Sequence, residues 1–147
     1  MNSRIIQFTG ILEVATQGQG FVDITGRVAA WVRERQAQEG LLTLFIRHTS
    51  ASLVIQENAD PDVRVDLVAA FDRLAPRNAG YLHRVEGPDD MPAHIKATLA
   101  GANVAVPVND GRPMLGTWQG IYVFEHRDRP HRREVALHYI GTARAEA

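Results

Sequence analysis

The order of hydrophobic and polar positions predicts a series of β-strands along the chain. Residues 5–14 mix β-forming and polar residues, whereas 41–46 is an almost continuous apolar run, typical of a strand covered on both faces. Further strands are predicted over 51–57, 104–108, 117–125 and 134–140. Asn109-Asp110-Gly111 is a turn of the kind that joins paired strands.

Three helices are predicted from apolar residues spaced by three or four and from capping residues. The first begins with Thr25 as its N-cap and ends at Glu39-Gly40, with the glycine as C-cap. The second begins at Asp60-Pro61, an aspartate cap followed by a proline that needs no N–H partner. The third begins at Asp90-Met91-Pro92 and ends at Gly101. The buried stripe of the second helix is expected to contain Val63 or Leu67, then Val68, Phe71 and Leu74.

Strands come in pairs with helices between them, so the chain is predicted to be an α+β fold. We expect about three helices packed against one or two largely antiparallel sheets, with the strand over 51–57 beside the strand over 41–46. Because the chain has 147 residues and neither an internal repeat nor a linker, residues 1–147 are predicted to form a single domain.

Composition narrows the function classes only modestly. The formal net charge of -1 gives no reason to expect nucleic-acid or membrane binding. No apolar run approaches the roughly 20 residues that span a bilayer. The chain has no cysteine, which excludes disulfides, thiolate catalysis and cysteine zinc sites. No N-terminal segment has the pattern of a signal peptide, so we expect a cytoplasmic protein.

Three histidines lie in segments crowded with polar groups. His48 follows a buried strand, His83 lies in a polar loop beside Glu86, and His94 comes two residues after a helix-starting proline. Taken singly, each is equally compatible with a structural or surface histidine. If the three imidazoles meet, they predict a divalent metal site or an acid–base centre. A catalytic zinc is usually held by three protein ligands and keeps one open position.

Other polar residues are candidates for roles around such a centre. Glu57 ends a predicted strand near His48, and Glu57 or Asp90 is a candidate for proton transfer. Asn58 could orient a substrate or a water. Gln119 lies in a second segment rich in polar and aromatic residues, 116–120, and is a candidate for substrate binding. Trp118 either stacks on a flat heterocycle or simply packs.

The basic stretch from 126 to 133 has two interpretations. It is typical of a solvated hairpin turn, and it could also bind one phosphate through Arg132 or Arg133, because the guanidinium fork matches phosphate oxygens. Glu125 lies in an apolar strand, where an unpaired carboxylate would be costly. We therefore expect a salt bridge between Glu125 and an arginine such as Arg133.

Four blocks of the sequence together resemble the YjbQ family. They are His48-Thr49-Ser50-Ala51-Ser52-Leu53, Glu57-Asn58-Ala59-Asp60-Pro61, the segment from Asp89 to Lys96, and Gly111-Arg112 leading to Gly116-Thr117-Trp118-Gln119-Gly120-Ile121. They occur in the family's order and extend over essentially the whole chain.

The resemblance implies a compact α+β sandwich, a homotrimer with sites near the subunit interfaces, and a zinc-type metal at His48, His83 and His94. It also implies a secondary thiamine-phosphate synthase activity, which joins a pyrimidine-methyl diphosphate to a thiazole phosphate. In that reaction Trp118, Gln119 and Asn58 would bind the heterocycle, Arg132 and Arg133 a phosphate, and Mg²⁺ could accompany the diphosphate. The alternatives are a metal-dependent hydrolase of a small phosphorylated molecule and a non-catalytic trimer that binds a metal and a metabolite.

Overall fold

The computed structural model describes the backbone of residues 2–144 and the side chains of residues 4–144. It has the predicted α+β architecture, with three helices and mostly antiparallel sheets. In chain order the elements are β1 (Asn2–Thr16), β2 (Gly20–Asp23), α1 (Thr25–Glu34), β3 (Ala37–Ile46), β4 (Ala51–Glu57), α2 (Pro61–Leu74), α3 (Asp90–Ala100), β5 (Asn103–Asn109), β6 (Arg112–Pro113), β7 (Gln119–Glu125) and β8 (His131–Ala143). None of the helices described is long and apolar enough to cross a bilayer.

Two antiparallel sheets form the framework. The larger sheet has the strand order β1-β8-β3-β5-β6, and the smaller has the order β2-β7-β4. The inner face of the larger sheet packs on the smaller sheet and on α1, through a core that includes Leu42, Leu44, Val28, Val123 and Leu137. Helices α2 and α3 contact the smaller sheet, which therefore forms the middle layer.

The strand with both faces covered is β7, not the predicted strand over 41–46. All of β7 except Gln119 is buried. In β3, Leu42 and Leu44 are fully buried, whereas Leu41 and Phe45 are 42% and 48% exposed on the outer face. The prediction of two covered faces was wrong. The run has hydrophobic residues on both faces, but the rest of the chain covers only one of them.

The strands over 41–46 and 51–57 do not pair, contrary to the prediction. β3 pairs with β5 and β8 in the larger sheet, whereas β4 pairs with β7 in the smaller one. The segment 47–50 therefore connects two layers. At its start Arg47 N donates to Glu134 O at 3.0 Å and so extends the β3–β8 pairing, and at its end Ser50 O accepts from His126 N at 3.3 Å, next to β7.

The first helix is shorter than predicted. It ends at Glu34 because Gln36 adopts a left-handed conformation with φ of 55° and turns the chain into β3. Gly40 consequently lies in a strand, where it faces Gly141. A Cβ on either glycine would approach the backbone of the other strand more closely than 3.0 Å, so the two strands require glycine here.

The other helices confirm their predicted starts, with smaller corrections. Asp60 caps α2 by accepting from Asp62 N at 2.9 Å, and Gly101 ends α3 with a positive φ. No residue of α2 is fully buried, and Leu74 is 64% exposed instead of lying in a buried stripe. The Asp110-Gly111 turn joins β5 to β6 as predicted, with both residues at positive φ.

A buried ion pair between Glu125 and Arg133 links the two sheets, as predicted. Arg133 Nε donates to Glu125 Oε1 at 2.8 Å, and Thr16 Oγ1 donates to the same oxygen at 2.6 Å. Glu125 Oε2 accepts from Arg133 Nη2 and from the backbone N–H groups of His126 and Arg127. Burial alone would raise the pKa of Glu125, but the hydrogen bonds from Arg133 and Thr16 outweigh it and lower the pKa.

Removing one partner of this pair should be strongly destabilising. We expect Arg133→Met to lower the free energy of unfolding by about 3–5 kcal/mol, because it leaves a carboxylate buried without its cation. The double variant Glu125→Leu/Arg133→Met should be more stable than this single variant, since neither charge remains. Urea unfolding at pH 7 measures both.

The matched control is Arg132→Gln, one residue before Arg133 in β8. It breaks the exposed ion pair between Arg132 and Glu13. It should cost less than about 1 kcal/mol. Equal losses for Arg132→Gln and Arg133→Met would contradict the importance of the buried pair.

Candidate metal centre

Two of the three predicted histidines converge on one carboxylate. His83 Nε2 lies 2.6 Å from Asp90 Oδ2, and His94 Nε2 lies 3.0 Å from the same oxygen. Asp90 is the first residue of α3 and His94 is four residues later, so helical geometry brings their side chains to one face. His83 comes from the loop between α2 and α3.

The cluster has a buried acid and an open imidazole side. One ligand atom from each of His83, Asp90 and His94 can be chosen so that all three lie within 4.8 Å of one another. The side chain of Asp90 is 2% exposed, whereas those of His83 and His94 are 37% and 34% exposed. A small ligand therefore reaches the cluster from the histidine side.

Arg127 holds the acidic side of the cluster in place. Its Nη1 donates to Asp90 Oδ1 at 2.7 Å, its Nε donates to Asp89 Oδ2 at 2.9 Å, and its Nη2 donates to Glu86 O at 2.9 Å. The two oxygens of Asp90 are thereby divided, one facing the arginine and the other facing the imidazoles. This division fixes the orientation of the carboxylate.

The surrounding charges favour an ionised Asp90. Burial would raise the pKa of Asp90, but the hydrogen bonds with His83 and Glu86 and the charge of Arg127 outweigh it and lower the pKa. The pKa of Asp89 is lowered in the same way, against burial, by its hydrogen bonds with Arg127 and with the backbone of Asp128. Asp90 is therefore an anion at neutral pH.

These residues fit a divalent metal ion. Two imidazole nitrogens and one carboxylate oxygen form a donor set that zinc uses in catalytic sites, where a fourth position stays open. A cationic partner behind the carboxylate is the kind of outer hydrogen bond that orients a metal ligand. Asp90, predicted as a proton-transfer residue, has the geometry of a ligand in this arrangement.

His48 does not belong to the cluster within one chain. Its Nε2 accepts a hydrogen bond from Glu134 N at 3.0 Å, which joins the end of β3 to β8. The pKa of His48 is lowered by burial and by the charge of Arg133. The ring is thus a neutral acceptor in a backbone connection, one of the structural roles that the sequence left open.

The residues predicted to bind a heterocycle lie at the C-terminal end of β4, whereas His48 precedes its N-terminal end. Glu57 ends that strand, and its Oε2 accepts from Ala59 N at 3.0 Å. Asn58 Nδ2 donates to the carbonyl groups of Thr117 and Gln119, and Gln119 Oε1 accepts from Gly116 N at 2.8 Å. Trp118 is 64% exposed. Since seven residues of β4 span roughly 20 Å, Glu57 is far from the start of the strand, where His48 lies.

The two predicted phosphate-binding arginines have other partners. Arg133 is buried against Glu125, and Arg132 pairs with Glu13 at 2.8 Å on the surface. A different arginine lies beside the cluster. Arg84 lines a cavity of about 320 Å³ together with His83, Tyr81 and Met91, and its guanidinium forms no hydrogen bond or ion pair within the described part of the chain.

His126 and Arg127 are the residues that the sequence analysis missed. His126 is 1% exposed and its Nε2 lies 2.8 Å from Ser52 Oγ, while its buried Nδ1 has no partner among the described residues. Its burial had a signal, because in a strand His126 shares a face with Phe124. Arg127 had none, since its contacts depend on where α3 begins in space.

The chain is similar in sequence to several known proteins that belong to one family. A sequence model described as UPF0047 protein YjbQ-like matches residues 10–142. A UPF0047 protein of Synechocystis is 48% identical over 136 residues, which cover 92% of each chain. The UPF0047 protein YjbQ of Escherichia coli O157:H7 is 43% identical over 117 residues, which cover 79% of this chain and 85% of that protein.

Solved structures show the same fold. A conserved hypothetical protein of Thermus thermophilus superposes with a TM-score of 0.78 at 38% identity, over 87% of this chain and 97% of that one. A protein of unknown function from Sulfolobus solfataricus reaches a TM-score of 0.87 at 24% identity, over 95% of this chain and 100% of that one. The second likeness supports the fold alone.

The burial of His126 predicts a defined acid sensitivity. Burial and the charge of Lys96 lower its pKa from 6.5 to about 3, so the unfolded chain binds a proton that the folded chain does not. The contribution of His126 to stability is therefore complete above pH 6.5 and is lost as the pH falls towards 3, by up to about 1.4 kcal/mol per pH unit.

Urea unfolding of the wild type and of His126→Gln between pH 7 and pH 4 isolates this effect. The carboxylates titrate in both proteins, so the difference in unfolding free energy reports the histidine. We expect the wild type to lose stability relative to the variant as the pH falls. Parallel curves would show that His126 titrates equally in the folded and unfolded states.

Proposed function

Because the chain belongs to the YjbQ-like UPF0047 family, and the relatives named above carry no activity in their names, we propose a function from the site itself. We propose a metal-dependent enzyme that acts on a small phosphorylated molecule. The observation that carries this proposal is the set of His83, Asp90 and His94 beside a cavity lined by Arg84, whose guanidinium has no partner among the described residues.

The chain's own residues prepare the site for a metal. When bound, a divalent ion, with zinc favoured by the two nitrogen donors, would supply a Lewis acid for a phosphoryl oxygen and a bound water of lowered pKa. Arg127 keeps Asp90 ionised and oriented through Oδ1, which leaves Oδ2 for coordination. The partly exposed imidazoles of His83 and His94 leave the approach open.

Arg84 supports a phosphorylated substrate. Its guanidinium lines the cavity that contains His83, and a guanidinium fork matches two phosphate oxygens. Arg77 lines the same cavity, but its two nitrogens are engaged by Asp128 at 2.7 and 2.6 Å. Arg84, which has no side-chain partner in the described part of the chain, is therefore the arginine that suits an incoming anion.

Hydrolysis of a phosphate ester fits this site better than the condensation implied by the family resemblance. In hydrolysis a water oxygen bonds to phosphorus, the ester P–O bond breaks, and the water's protons end on the released alcohol and phosphate. Departure of a diphosphate normally relies on Mg²⁺ held by one or two carboxylates together with the substrate phosphates. Here Asp89 and Asp128 are engaged by Arg127 and Arg77. Condensation of the two thiamine precursors therefore forms a second arm of the assay.

We also propose that the chain self-associates as a homotrimer. The outer face of the larger sheet supports this, because Ile11, Leu41, Phe45 and Ile140 are between 42% and 49% exposed on it. An uncovered apolar face of this kind is typical of a protein contact. Light scattering measures the oligomeric state directly.

Metal content tests the donor set. His83→Ala, Asp90→Asn and His94→Ala should each reduce the metal bound per chain by tenfold or more after dialysis, because each removes one of three ligands. His131→Ala is the matched control, since His131 Nδ1 lies 2.7 Å from Arg129 O and the residue belongs neither to the donor set nor to the apolar outer face. The measurement is elemental analysis of the dialysed protein.

His48→Ala discriminates between two ways of building the centre. Retained metal supports the set of His83, Asp90 and His94 from one chain. Loss of metal in His48→Ala would overturn that set and support a ligand supplied by a neighbouring copy. Equal metal in all the variants would refute the metal centre altogether.

Turnover tests the activity. With p-nitrophenyl phosphate and zinc, we expect Arg84→Gln to raise KM about tenfold with little change in kcat, because it removes a charged hydrogen bond to the phosphate. Arg73→Gln, an exposed arginine at the end of α2, should change neither. Tight phosphate binding without turnover of phosphoesters or of the thiamine precursors would contradict the enzyme and support a metabolite-binding protein.

A further inference from the structure

A second basic site lies at the other end of the molecule from the candidate metal centre. A cleft of about 710 Å³ opens between α1 and the β5–β6 turn, and three arginines line it: Arg33, Arg112 and Arg144. Thr25 on its wall accepts a hydrogen bond from Ile121 N, near the start of β7. The candidate metal centre adjoins Arg127, which follows the end of the same strand.

The charges in this cleft are unbalanced. Asp110 is the one acidic residue among the described residues that line it, so the cleft has a formal net charge of +2, in a chain whose net charge is -1. The guanidinium groups of Arg33 and Arg112 form no hydrogen bond or ion pair within residues 4–144, although the backbones of both residues do. Like charges gathered without a counter-ion repel one another, and an anion placed among them would remove that repulsion.

The third arginine is held ready. Arg144 Nε donates to Gln38 Oε1 at 2.9 Å, and its Nη2 lies 3.6 Å from Asp110 Oδ1. Its backbone N–H donates to Gln36 O at 2.8 Å. One guanidinium is thus fixed by the protein while two remain free to bind.

The backbone around the cleft carries a conformational cost. Within the part of the chain that the structure describes, Gln36 and Asp110 are the non-glycine residues with positive φ, at 55° and 52°, and both line this cleft. The Asp110-Gly111 turn requires that conformation. Gln36 follows the end of α1, at a position where glycine is favoured, so this residue adopts a conformation that residues other than glycine disfavour.

One part of the cleft wall is apolar. Ala29, Ala37, Pro113 and Leu115 contribute to the lining beside the arginines. Cavities of this volume accommodate a small organic ligand, and phosphate esters carry a charge of roughly -1.5 to -2 at neutral pH. We propose that this cleft binds a small organic phosphate, with its anionic group at Arg33, Arg112 and Arg144 and its organic part against the apolar wall.

This site is separate from the one under Proposed function, so a titration that reports each residue individually distinguishes them. The probe is phenyl phosphate, added to the isotopically labelled full chain while backbone amide shifts are recorded by NMR. We expect saturable shifts at Ala29, Ala37 and Gly111. Inorganic phosphate should bind the same amides more weakly, and phenol should not move them, because both parts of the ligand contribute.

Substitutions assign the binding. Arg33→Gln and Arg112→Gln should each weaken phenyl phosphate at the cleft about tenfold, the effect of losing one charged hydrogen bond. Arg73→Gln, which removes an exposed arginine outside the cleft, should leave this affinity unchanged. Arg84→Gln should also leave it unchanged, because Arg84 belongs to the other site.

The proposal fails if the cleft amides do not saturate with millimolar phenyl phosphate. It also fails if Arg73→Gln weakens binding as much as Arg33→Gln, since the attraction would then be a general effect of positive charge. The side chains of Arg33 and Arg112 are exposed and have no partner among the described residues, so these variants should fold. The dispersion of the NMR spectrum checks this directly.

Discussion

The buried pair of Glu125 and Arg133 is the interaction on which the arrangement of this molecule depends. It joins the last residue of β7, in the middle layer, to β8 in the larger sheet, and Thr16 of β1 bonds the same carboxylate. A carboxylate buried this deeply is tolerated because five donors surround it. They are Nε and Nη2 of Arg133, Oγ1 of Thr16, and the backbone N–H groups of His126 and Arg127. Its position therefore determines how the two sheets meet at this end.

The same carboxylate also positions the candidate metal centre. By accepting from the backbone N–H groups of His126 and Arg127, Glu125 fixes the chain as it leaves β7. Arg127 then contacts Asp89 and Asp90 at the start of α3. A series of hydrogen-bonded contacts thus runs from the interior to the solvent-facing imidazoles. The buried members provide rigidity, and the exposed members, His83 and His94, are available to a ligand.

β7 also separates the two basic regions of the molecule. The cavity beside His83 lies past its end, and the cleft lined by Arg33 and Arg112 lies near its start. Both regions contain arginines without partners in the described chain, whereas the interior arginine, Arg133, is fully paired. This contrast follows from desolvation. A buried guanidinium must be neutralised by the protein, whereas an exposed guanidinium is hydrated and needs no protein partner before a ligand binds.

The amino-acid sequence by itself determined the features that depend on neighbouring residues. Asp60 and Gly101 marked helix boundaries, the Asp110-Gly111 pair marked a turn, and an isolated Glu125 in an apolar strand required a cation, because capping, turn geometry and desolvation act locally. Only the tertiary structure decided which elements became neighbours. Periodicity states that β3 and β4 each bury a face, but not that they belong to different layers. For that reason His48 contacts β8, and Asp90 rather than His48 lies beside His83 and His94.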